Sequence, residues 1–76
     1  MPLYFFHFTD GTERLEDPTG AQLRDYFAAR EHAVATIRKL LEKPDGAKIW
    51  SGWKIEVTDE SCDQVLSIPV ESDPSH

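Results

Sequence analysis

The chain has 76 residues, and its 14 acids against 8 bases leave a net charge of −6. That length makes one domain with one thin core, because such a chain buries little more than ~60% of the surface its unfolded form exposes. The bases are scattered, with only Arg38 and Lys39 adjacent, so the basic stripe that displaces counterions from phosphates is missing and nucleic-acid binding is not expected.

The first apolar run, Leu3 to Thr9, is dense in aromatics and reads as a strand. Tyr4, Phe6 and Phe8 share one face, with Leu3, Phe5 and His7 on the other. Asp10-Gly11 is a hairpin turn signal. A short second strand over Glu13 to Glu16 follows, with Leu15 as its apolar anchor. The run is too short to span a membrane, and it has neither a positive n-region nor a cleavage site, so it is not expected to act as a signal peptide.

Asp17-Pro18-Thr19-Gly20 is turn chemistry, since Pro fixes φ and Gly permits positive φ. A helix is predicted from Tyr26 to about Lys43 with Asp25 as N-cap. At 100° per residue Tyr26, Ala29, Ala33, Ile37 and Leu40 form one apolar stripe, flanked by Val34 and Leu41. Lys43-Pro44-Asp45-Gly46 stops the helix, and residues 44–52, with Ile49 and Trp50, form a return loop. Trp53, Ile55 and Val57 then alternate with Lys54, Glu56 and Thr58, the clearest strand signal in the chain. A turn at Asp59 to Asp63 leads to a last strand on which Leu66, Ile68 and Val70 face the core and Val65, Ser67 and Pro69 face outward. Pro69 has no N–H and belongs on an edge. Residues 1–70 form the expected domain and residues 71–76 an expected disordered tail.

The expected fold is therefore α+β: an antiparallel sheet of three to four strands in ββαββ order, with one amphipathic helix packed on one face. The motif order M-P-x-Y-F-F-H-F-x-D-G, D-P-T-G, an Ala- and Arg-rich helix, S-G-W-x-I-E-V-T-D-E and V-L-x-I-P-V resembles domain-of-unknown-function family 6894, a family of small proteins from rhizobia and related alphaproteobacteria. The resemblance covers nearly the whole chain and implies a ββαββ-type domain. It carries no assigned activity and no catalytic residues. One departure is Cys62, where the family pattern has Gly in the hairpin turn; positive φ there would strain a cysteine.

Few residues suggest chemistry. His7 and Glu56 would share a sheet face and could act as general base and orienter, but an open sheet is flat and a catalytic pair needs a pocket. Cys62 lies among acids, which disfavours a thiolate nucleophile; as the only cysteine it makes no internal disulfide and points to a reducing, cytoplasmic setting. Asp59 to Val70 fails the calcium-loop pattern at its Gly and Glu positions, and the His and Cys spacing matches no zinc site. No cofactor, metal or membrane partner is expected.

The leading expectation is a non-enzymatic protein-interaction module, homodimeric through the open sheet face or an edge strand. Leu3, Phe5, His7, Trp50 and Val65 form its expected surface. The alternative is an antitoxin-like acidic partner of a basic or nucleic-acid-binding protein. The third is a small enzyme using His7 and Glu56.

Overall fold

The computed structural model describes residues 1–70. Five strands and two helices follow in the order β1 (Leu3–Thr9), β2 (Arg14–Leu15), β3 (Ala21–Gln22), α1 (Tyr26–Glu42), α2 (Gly46–Ile49), β4 (Lys54–Thr58) and β5 (Gln64–Pro69). The fold is the α+β arrangement expected, with two corrections. The sheet has five strands rather than three or four, and the return after the main helix holds the short helix α2. The expected tail, residues 71–76, lies outside the described residues.

All pairings are antiparallel. The main path runs β2-β1-β4-β5, and β3 also pairs with β1. β2 and β3 are two pieces of one interrupted edge. Phe8 faces Leu15 in β2, whereas Tyr4 faces Ala21 in β3. Unbroken pairing would set Thr19 opposite Tyr4, so two extra residues are looped out between them. The Asp17–Gly20 turn absorbs those residues. Gly20 has φ +74°, and a Cβ there would lie 2.9 Å from the Tyr4 carbonyl oxygen and 3.0 Å from the Phe5 ring.

The core forms between the inner sheet face and α1, which packs against β4 and β5. Ile37, Ile55, Val57 and Val70 are fully buried, with Ala29, Ala33, Val34 and Ile68 around them. Two small residues, Ala29 and Ala33, let the helix approach the sheet closely. α1 starts where its cap dictates: the Asp25 side chain accepts from the Ala28 N–H at 2.9 Å, a contact that typically contributes ~1 kcal/mol. Pro44 follows the Lys43 C-cap.

Three expectations about individual residues are corrected. Leu15 is 53% exposed and anchors nothing, because β2 lasts only two residues. Tyr26, on the predicted stripe, is 39% exposed at the first residue of α1, its ring packed on Phe27 rather than in the core. Val65 was expected outward but packs against the core. The register shifts between Val57 (facing Leu66) and Thr58 (facing Gln64), leaving Val65 as the extra residue of a β-bulge.

Two residues in left-handed backbone give predictions of opposite sign. Cys62 has φ +67°; Cys62→Gly removes Cβ strain of ~1–2 kcal/mol at an entropic cost of ~0.5–1 kcal/mol, and should stabilise the fold by roughly 0.5–1 kcal/mol. Gly20→Ala adds the same strain and presses a methyl group onto a backbone carbonyl, so it should destabilise by about 2–3 kcal/mol. Thermal unfolding checks both signs.

Candidate functional site

The outer sheet face was expected to be flat and open around His7. It is neither, because the looped-out Asp17–Gly20 turn folds onto it. His7 is only 7% exposed. The Asp17 backbone N–H donates to His7 Nδ1 at 3.1 Å. An imidazole nitrogen that accepts from an N–H carries no proton, so the neutral ring holds its proton on Nε2. Nε2–H then donates to Thr58 Oγ1 at 3.0 Å. Both ring nitrogens are therefore engaged.

The Asp17 carboxylate returns the contact. Its Oδ2 accepts from the Phe6 N–H at 3.2 Å, and its Oδ1 accepts from the N–H groups of Thr19 (3.1 Å) and Gly20 (3.0 Å) and from the Thr19 hydroxyl. Burial pushes this carboxyl up, but the N–H groups of Gly20, Phe6 and Thr19 outweigh it and hold it below its ordinary range.

Around His7 lies a charged network. Arg14 Nη1 donates to Glu56 Oε1 at 2.6 Å, and Arg14 Nε to Glu16 Oε2 at 3.3 Å. Lys54 Nζ stands 3.5 Å from Glu56 Oε2. The Arg14 guanidinium, helped by Lys54, keeps Glu56 below the usual carboxylate range against a weaker push from burial, and Glu56 with Glu16 raises Arg14. A depression of about 210 Å³ opens between Phe5, His7, Arg14, Glu16, Thr58 and Cys62. Among the described residues no buried side-chain nitrogen or oxygen lacks a hydrogen-bond partner.

This arrangement is a closed scaffold rather than a poised acid–base pair. His7 and Glu56 are register partners across β1 and β4, yet the carboxylate is held by Arg14 and the ring by Asp17 and Thr58. No group of three His, Cys, Asp or Glu residues among those described is placed to hold a metal ion, and no described helix is long and apolar enough to cross a membrane.

The five residues of the expected surface separate. Phe5 lies half-buried beside His7, its ring parallel to the imidazole with centroids 6.3 Å apart. Leu3, also half-buried, begins β1, and its N–H donates to Glu60 Oε1 at 2.9 Å. Trp50 is on the core side instead, 5.2 Å from the Phe8 ring and 5.4 Å from Trp53, because α2 turns it inward. Val65 joins the core through its bulge. The most exposed aromatic is a residue the sequence reading did not single out: Phe27, 70% exposed, packs edge-on against Tyr26 with centroids 5.5 Å apart. Its position off the Tyr26-Ala29-Ala33 stripe of the helix was the available signal.

The chain belongs to the domain of unknown function family DUF6894, whose model matches residues 3–71. Neither a curated protein nor a solved structure matches the chain.

Asp17 generates a pH-dependent prediction. Its folded carboxyl lies below its ordinary value, so its stabilisation is complete above the unfolded value of about 3.9 and is lost as pH falls through the folded value. Asp17→Ala should cost about 2 kcal/mol at pH 7 by leaving backbone N–H groups unpaired. In denaturant titrations the gap between wild type and variant should close as the pH drops below that window.

Proposed function

We propose that this member of the family is a non-catalytic protein-interaction module. The observation that carries this reading is the Tyr26–Phe27 pair. A large aromatic that is 70% exposed adds little to the core, while exposed aromatic pairs supply the rigid apolar area that anchors interfaces. The closed network around His7 argues in the same direction, since its bases and acids are already spent on one another.

A second copy of the chain is the partner to test first. The aromatic pair suits such a contact better than the surfaces the sequence suggested. The outer face is lined by Arg14, Glu16, Lys54 and Glu56 in mutual ion pairs. The β5 edge includes Pro69, which offers no donor to an added strand.

A second reading rests on charge. Six of the eight Lys and Arg residues lie between Arg24 and Lys48, so the described residues on either side carry eight acids against Arg14 and Lys54. This acidic part suits a basic protein partner, with affinity that falls as salt rises. The single cysteine supports placing the chain in the cytoplasm.

Light scattering across a concentration series tests the primary reading. Wild type should self-associate, and Phe27→Ser should remain monomeric with stability changed by no more than about 0.5 kcal/mol, as for an exposed site. Wild type that stays monomeric at millimolar concentration, with Phe27→Ser indistinguishable from it, contradicts the homodimer.

A further inference from the structure

We propose that His7 and the Asp17–Gly20 turn form a latch that acid releases. The turn is joined to β1 by two bonds: the Asp17 carboxylate accepts from the Phe6 N–H at 3.2 Å, and the Asp17 N–H donates to His7 Nδ1 at 3.1 Å. The second exists only while Nδ1 has a lone pair. Histidine is the side chain that most readily gains a proton in the physiological range. A proton on Nδ1 turns the acceptor into a donor facing another donor, and the two must separate.

The separated ring has a new partner at hand. Glu16 Oε2 lies 4.0 Å from the same nitrogen, on the residue next to Asp17. Protonation therefore exchanges a neutral acceptor contact with the Asp17 N–H for an ion pair with Glu16. Other charged groups set the balance. From β2, Arg14 opposes the added charge and already holds Glu16 at 3.3 Å. From β4, Glu56 favours the charge and Lys54 disfavours it, each tied to the other at 3.5 Å. In the turn, the Asp17 carboxylate is directed to Phe6, Thr19 and Gly20. Cys62 lines the same depression from the β4–β5 turn. Nothing on α1 takes part, because α1 packs on the opposite sheet face. On the Nε2 side Thr58 Oγ1 accepts in both ring states, so Nε2 stays anchored while Nδ1 changes partner.

The latch is local. It acts on the stretch where the edge is interrupted between β2 and β3, and it leaves the Ile55, Val57 and Ile37 core untouched. Acid thus loosens the cover over the middle of β1 without unfolding the domain.

Nitrogen-15 NMR of the imidazole, combined with amide hydrogen exchange from pH 8 to pH 5, tests this on the whole chain. At pH 8 His7 should show the Nε2–H tautomer with the Asp17 amide protected. As the ring gains its second proton, the Asp17 amide should exchange about two- to tenfold faster relative to free peptide at the same pH, the change expected for one net hydrogen bond, while the Ile55 and Val57 amides stay protected. In Glu16→Ala the Asp17 amide should keep more of its protection at acid pH, the ring's new anionic partner being gone. Three results would overturn the latch: an Nδ1–H tautomer at pH 8, an Asp17 amide that keeps its protection once His7 is charged, or ring titration that occurs only together with loss of core protection. An Asp17 exchange profile unchanged in Glu16→Ala would overturn the part given to Glu16.

Discussion

The structure depends on how the backbone of β1 is satisfied where its neighbours run out. A strand in the middle of a sheet needs partners on both sides along its length, because an unpaired buried N–H costs about 1–3 kcal/mol. On one side β4 supplies them from Phe5 to Thr9; on the other, β2 and β3 cover only the two ends. The Asp17 carboxylate stands in the gap and accepts from the Phe6 N–H. At the start of β1, Glu60 does the same for the Leu3 N–H. Two acids thus complete a ladder that the strands leave open. The first of them also fixes the turn that buries His7, and so decides that the outer face is a closed network.

That arrangement explains why the parts of the fold were unequally legible. Periodic signals translated directly: the Trp53 strand alternates as its burial does, and Asp25 caps α1 where the apolar stripe begins. Cys62, which the resemblance sets where a glycine is expected, does have positive φ. What the sequence could not show were contacts made by breaks in pattern. Nothing local to His7 and Asp17 says that two looped-out residues bring them together. The bulge at Val65 reverses one side chain without altering the alternation around it. Trp50 turned inward because α2, only four residues long, leaves too short a period to read.

The same contacts bear on function. A histidine with both nitrogens engaged and a glutamate clamped by arginine leave little free chemistry on the outer face, and the largest exposed aromatic sits on the helix instead. The D-P-T-G and S-G-W-x-I-E-V-T-D-E stretches of the chain supply turn, packing and network residues. The interface reading rests on Tyr26 and Phe27, and the latch on Asp17, Glu16 and His7. They occupy opposite faces of the sheet and are separable by mutation.

The Asp17 carboxylate thus substitutes for a strand at the middle of β1. Hydrogen exchange at the Phe6 amide tests it most directly. The amide should be protected in wild type to a degree comparable with its strand neighbours and lose that protection in Asp17→Ala, while Val57, opposite it in β4, remains protected. A Phe6 amide that exchanges in wild type as freely as those of an exposed loop would contradict the claim.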